Sequence, residues 1–204
     1  MMKRILATFC SFLVLGKPTH TWAQTDLSQA SLEQLMNIKV TIVSKKEQKL
    51  SHVAAAVFVI THEDIRRSGA RNLPDLLRIV PGMNAAQVDA NIWAVSARGF
   101  NDIYANKLLV MIDGRSVYDP AFGGVLWDLQ DVPVEDIERI EVIRGPGATI
   151  WGANAMNGVI NIITKRAKAT QGGLIKAGGG STTTAQGLVQ YGAKLGGKGK
   201  ITWL

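Results

Sequence analysis

The sequence predicts an α+β domain of short strands and short helices, preceded by an export signal and followed by the first strands of an antiparallel transmembrane β-barrel. Three observations carry this. The only long apolar run lies at the N-terminus. Between residues 53 and 165, apolar stretches of strand length alternate with capped helical stretches. From Gly172 the chain turns glycine-rich, with loosely alternating runs of roughly ten residues or fewer, the weak signature of membrane-spanning strands.

The N-terminal run reads as a secretory signal over residues 1–23. Lys3 and Arg4 precede an apolar core at residues 5–16 that is too short to span a bilayer as a helix. Thr21-Trp22-Ala23 offers small residues for cleavage before Gln24. A retained anchor is the alternative, opposed by Pro18 and by the shortness of the run. Cys10 lies inside the run and is the sole cysteine, so the exported chain has no disulfide, thiol nucleophile or Cys-ligated metal.

A hydrophobic content of 47% allows a real core. The net charge of +7 falls once Lys3, Arg4 and Lys17 leave with the signal. The last acidic residue is Glu141, so the chain divides into an acidic part and a purely basic part with different surroundings. A nucleic-acid-binding tail is the alternative. The basic residues are scattered among glycines and apolar residues, which argues for no nucleic acid.

In chain order, Ser31 and Gln34 form a capping box for a short helix at residues 31–38. Val40, Thr41, Ile42, Val43 and Ser44 form a β-prone run, followed by polar residues 45–49. Residues 54–60 read as a strand. Thr61 caps a helix, with Asp64 three residues on and Gly69 ending it. Asn72, Pro74, Leu73, Leu76, Leu77 and Val80 make a second helix, stopped by Pro81-Gly82. Residues 93–97 read as a strand. Residues 108–112, Asp113-Gly114 and residues 115–118 read as a hairpin. Pro133 opens a helical turn that feeds a strand at residues 139–144. A glycine-rich turn leads to a strand at 159–164. Residues 173–177, 188–195 and 201–204 read as the last strands. The chain stops inside that pattern, so a truncated piece of a longer protein is expected.

Four segments in this order resemble the plug-domain signature of TonB-dependent outer-membrane receptors. They are Val80-Pro81-Gly82, Ser96-Ala97-Arg98-Gly99-Phe100, Lys107-Leu108-Leu109-Val110-Met111-Ile112-Asp113-Gly114, and the run from Val134 through Ile143-Arg144-Gly145-Pro146-Gly147 and Trp151-Gly152-Ala153-Asn154 to Lys165. The resemblance implies a plug with a small mixed β-sheet and short helices, lodged in a barrel of about 22 strands whose lumen it blocks. It divides the chain into the signal at 1–23, a periplasmic N-terminal segment at 24–52, a plug at 53–166 and the first strands of a truncated barrel at 167–204. One departure is Asn157-Gly158, where many members carry two glycines. Asn tolerates positive φ, so the turn is expected to survive.

The resemblance also implies roles. Arg98 and Arg144 are expected to face the barrel wall and pair with its carboxylates, with Glu138 and Glu141 in the same network. A planar guanidinium suits bidentate carboxylate pairing. Solvated strand-end charges are the alternative. Gly145, Gly147, Gly152 and Gly158 are read as tight turns or close approaches, since no Gly-Lys-Ser/Thr follows to make a phosphate loop. Val40 to Ser44 is the candidate TonB box, which would add as a strand to TonB and, through it, the inner-membrane energising complex. The plug's own first strand is the alternative. By position, outward loops at 88–92 and 118–124 are expected to touch a small-molecule substrate such as a metal chelate. They offer Asp89, Asn91, Tyr118, Asp119 and Phe122; plain solvated tips are the alternative.

His52 and His62 are the only histidines beyond the signal, and neither lies in a catalytic or metal-binding pattern. The function read from the sequence is therefore not enzymatic and needs no cofactor. It is the gate of an active uptake transporter for a ferric siderophore or cobalamin, in the outer membrane of a Gram-negative bacterium, partnered by its own barrel and outer-membrane lipid. A pore-less periplasmic plug-like binding or signalling module is the second reading.

Overall fold

Local capping and turn chemistry punctuate the strands as the sequence predicts. The computed structural model describes residues 39–42, 48–49, 55–180, 185–195 and 199–203. The export signal, the helix expected at 31–38, Val43, Ser44 and His52 lie outside these. The described residues all belong to one unit, Met36–Leu204.

A short hairpin pairs β1 (Lys39–Val40) with β2 (Gln48–Lys49). Then come β3 (Val57–Thr61), α1 (His62–Ser68) and α2 (Leu73–Leu77). Thr61 and Asp64 form a reciprocal capping box, and Gly69 closes α1 at φ 68°. The Asn72 side chain caps α2 by accepting from the amide of Asp75. β4 (Met83–Gln87) and β5 (Trp93–Ala97) form an antiparallel hairpin. β4 has no strand signal in its Met-Asn-Ala-Ala-Gln sequence; pairing with the wholly buried β5 makes it.

β6 (Leu108–Ile112) and β7 (Arg115–Ser116) follow, then β8 (Ile137–Ile143), a one-turn helix α3 (Ala148–Trp151) and β9 (Gly158–Thr164). Asp113 and Gly114 turn β6 into β7 with φ of 50° and 79°, the pair of left-handed residues that a tight hairpin needs. The sheet order is β3-β8-β9-β6-β7, with β6 and β9 parallel and every other pair antiparallel. This is a mixed sheet, as the resemblance implied. Gly158 is required by close approach: a Cβ there would meet the Ile143 carbonyl oxygen at 2.7 Å. Asn157 has no positive φ, contrary to expectation; its amide simply donates to the Lys107 carbonyl.

Strand alternation gives the sheet two faces. Ile140, Val142, Ile160, Ile162, Leu108 and Val110 face one side, where α1, α2 and the β4–β5 hairpin cover them. Ile143, Val159, Leu109 and Met111 face the other, covered by Ile42, Ala155 and Trp151.

β10 (Gly172–Gly178), β11 (Gln186–Leu195) and β12 (Gly199–Trp203) form a separate antiparallel meander. Its register places Ile175 opposite Val189 and Gly173 opposite Tyr191. Ile175, Val189 and Tyr191 are 79%, 71% and 66% exposed, an unburied apolar face. Among the described residues, no helix is long and apolar enough to cross a membrane.

Candidate functional site

The chain curls at the end of β5. Arg98, Gly99 and Phe100 all have positive φ, costly for the two non-glycine residues. The curl delivers the Arg98 guanidinium to the end of β8, where Nη2 donates to the Arg144 carbonyl at 2.9 Å. Arg144 reaches back and donates from Nη1 to the Pro81 carbonyl at 2.9 Å. Its Nε is buried without a hydrogen-bond partner among the described residues. The structure thus brings the two arginines together with Pro81-Gly82, three of the quoted motifs at one place. Among the described residues neither arginine has a carboxylate partner.

Glu138 and Glu141 lie elsewhere. Glu138 is half-exposed and paired with Arg139. Glu141 points inward from the middle of β8 and is 0% exposed. Its Oε2 accepts from the amides of Thr41 and Ile42, each at 2.9 Å, and from the Thr41 hydroxyl at 3.2 Å. Its Oε1 accepts from Arg139 Nε at 2.9 Å. On the far side of the segment, the Trp151 indole N–H donates to the Ile42 carbonyl at 2.7 Å. Val40 and Ile42 are both fully buried. Of the described residues of the candidate box, Val40 lies in a strand, β1, while Thr41 and Ile42 have left it. This docking escaped the sequence reading. The available signal was a Glu on the inward side of Ile140-Glu141-Val142-Ile143.

The two candidate ligand loops are separate. Asp89 accepts from the Ala90 amide within its own turn. Asp119 is likewise a turn-former, accepting from the amides of Ala121 and Phe122. Asn91 stands in the exposed 88–92 turn, beside Ile92. No hydrogen bond, ion pair or ring contact among the described residues joins 88–92 to 118–124. Phe122 instead stacks on Tyr104 with centroids 6.0 Å apart, and Lys107 Nζ lies 5.3 Å from the ring of exposed Phe100. Tyr118 and Asp119 border a crevice of about 310 Å³ with Arg115, Leu126 and Gln130. Tyr104 was not singled out from the sequence, and Phe100 and Lys107 were quoted only as parts of motifs, with no role of their own.

A further set of contacts binds the meander to the sheet domain. Gln190 Nε2 donates to Asp136 Oδ1 at 2.7 Å, both residues buried. Lys176 pairs with Glu135. Burial opposes the charge on Glu135, but the Lys176 hydrogen bond, its own backbone and the nearby lysines outweigh this and hold its carboxyl below the usual range. The pKa of Lys165 is lowered as well, here because burial outweighs the pull of Asp136, Glu135 and Glu138. Its Nζ lies 3.1 Å from His62 Nε2, while His62 Nδ1 lies 2.9 Å from the Ile137 carbonyl. A ring nitrogen facing a carbonyl must donate, so the contact with Ile137 calls for a proton on Nδ1. Among the described residues no cluster of metal-ligating side chains occurs.

A small mixed sheet, two arginines gathered at its motif-bearing end and a flanking meander define a plug-type α+β domain. The family model described as the TonB-dependent Receptor Plug Domain matches residues 49–159, and the chain belongs to that family. The chain is 36% identical over 144 residues to the vitamin B12 transporter BtuB of Vibrio vulnificus (strain CMCP6), covering 70% of this chain and 23% of that protein. It is 34% identical over 164 residues to BtuB of Vibrio cholerae, covering 79% and 26%. The chain thus spans about a quarter of the length of these relatives. Among solved structures, the ferric-catecholate import receptor Fiu of E. coli K12 matches at TM-score 0.55 and 30% identity, over 73% of this chain and 20% of that one. The pyoverdine outer membrane receptor FpvA of Pseudomonas aeruginosa PAO1 matches at TM-score 0.62 and 20% identity, over 77% and 22%, a likeness of fold.

Proposed function

We propose that this domain is the gate of a TonB-dependent transporter in a Gram-negative outer membrane, and that residues 167–204 are the opening strands of its barrel. The observation that carries this is the two-sided meander. One face presents Ile175, Val189 and Tyr191 outward, as a strand pair facing lipid must. From the other, Lys176 and Gln190 hold the plug through Glu135 and Asp136. A domain flanked by such strands is placed inside a wall. The guanidinium groups of Arg98 and Arg144, without a carboxylate partner among the described residues, fit carboxylates supplied by the rest of that wall.

Residues 1–23 serve export, and the energising partner is TonB with its inner-membrane complex, engaging Val40 to Ser44 as an added strand. The substrate is cobalamin or a ferric siderophore, a reading supported by the vitamin B12 and ferric catecholate named for two similar proteins. Asp89, Asn91, Tyr118, Asp119 and Phe122 are its plug-side contacts. In cells carrying the full-length gene, deleting residues 40–44 should abolish energised uptake of whichever of vitamin B12, ferric pyoverdine or a ferric catecholate is taken up. Uptake that survives the deletion sinks the coupling assignment; no energised uptake of any scarce nutrient by the intact gene sinks the transporter.

A further inference from the structure

We propose that Glu141 makes the packing of β8 conditional on the docked segment at residues 40–42, so that withdrawing the segment loosens the sheet. Its meaning for gating rests on the transporter reading; the device itself does not.

Glu141 sits in the second strand of the sheet, opposite Val59 on β3 and Asn161 on β9. Asn161 is committed elsewhere, accepting through Oδ1 from the Gly114 amide. A fully buried carboxylate at such a place needs donors. It finds two amides and a hydroxyl on Thr41 and Ile42, and one guanidinium on Arg139. Arg139 is itself shared with Glu138. Take the segment away and Glu141 keeps only that shared arginine.

The same departure removes Ile42 from Leu109, Met111, Ile143 and Val159 and opens a path for water to the stranded carboxylate. Leaving a buried acceptor unsatisfied costs more than a typical hydrogen bond gains. The sheet therefore resists release, and release wets β8 and β9. An apolar residue at 141 would pack the face without this dependence. Trp151 is the second hold, gripping the Ile42 carbonyl from α3. Both are positioning residues for the segment.

The test is amide hydrogen exchange of β8 and β9 on the full chain, in a cycle of Thr41→Pro and Glu141→Met. Proline deletes one amide donor and the hydroxyl. With Glu141 present, Thr41→Pro should speed exchange of β8 and β9 by about tenfold or more. With Glu141→Met, the same change should act by less than about twofold. Equal acceleration in both backgrounds, or none with Glu141 present, overturns the proposal. If Glu141→Met does not unfold cooperatively, Glu141→Gln replaces it, and a Thr41→Pro effect undiminished in that background is equally fatal. Trp151→Phe, which removes the indole N–H and shortens the ring, should accelerate β8 exchange when Glu141 is present and much less when it is absent. No step measures uptake, so failure here leaves the transporter reading standing.

Discussion

The two faces of the central sheet are closed in opposite ways. One is sealed by α1, α2 and the β4–β5 hairpin, elements contiguous in sequence and joined to the sheet chiefly by apolar contact, with hydrogen bonds at its margins, from His62 to Ile137 and among Arg98, Arg144 and Pro81. The other is sealed by three residues from the far N-terminus and a one-turn helix, held by a buried carboxylate and an indole N–H. Apolar burial is strong but undirected, and it makes the first face permanent. The second face hangs on one short segment, held by hydrogen bonds and the burial of Val40 and Ile42 and paired only with β2 among the described residues, which makes it the more releasable.

Breaking the permanent face should have the largest effect. Leu76→Ala, at a site with no exposure, should cost about 2–5 kcal/mol in denaturant unfolding and abolish the folded baseline if stability is marginal. Ile42→Ala removes a comparable buried side chain from the second face. Its global cost should stop near about 2 kcal/mol, the low end for such truncations, because the segment can undock before the sheet unfolds. Exchange confined to residues 40–42 with little change in the midpoint would show this. A cost equal to that of Leu76→Ala would erase the contrast between the faces.

Thr61→Ala removes the cap from α1 on the permanent face. It should cost about 1 kcal/mol and leave exchange on the second face untouched. The smallest effect is expected at Glu63, whose carboxyl is held at about 2 by hydrogen bonds from Arg66 and Arg67. A carboxylate with a depressed folded pKa stabilises above its ordinary value of 4.5 and loses that contribution as pH falls toward 2. Between those values, wild type should lose slightly more stability than Glu63→Gln. Because the site is solvent-exposed, the difference should be small and should shrink further in high salt.

The legible and illegible parts of the fold divide along the same line. Thr61, Asp64, Gly69, Asn72 and Asp113-Gly114 act on neighbours a few residues away, so α1, α2 and the β6–β7 turn could be read directly. The β4 strand could not, because Met-Asn-Ala-Ala-Gln becomes a strand only by pairing with β5. Arg98 and Arg144 were marked by motif, but their meeting depends on the left-handed curl at 98–100, which no propensity signals. The partners of Glu141 lie 99 and 100 positions away. A single sequence offers no means of pairing residues at that distance. What could have been noticed is the cost of an inward carboxylate, which demands a donor from somewhere.

Both amides of the docked segment aim at the same oxygen, Oε2 of Glu141, at the same 2.9 Å distance. Adjacent peptide dipoles converging on one anion bear a tug along the chain together, where a ladder of separate bonds would part rung by rung. That pair of bonds has no half-open form of its own. It yields in one step once traction passes a threshold, and the protons of residues 41 and 42 should then trade with solvent at one shared rate.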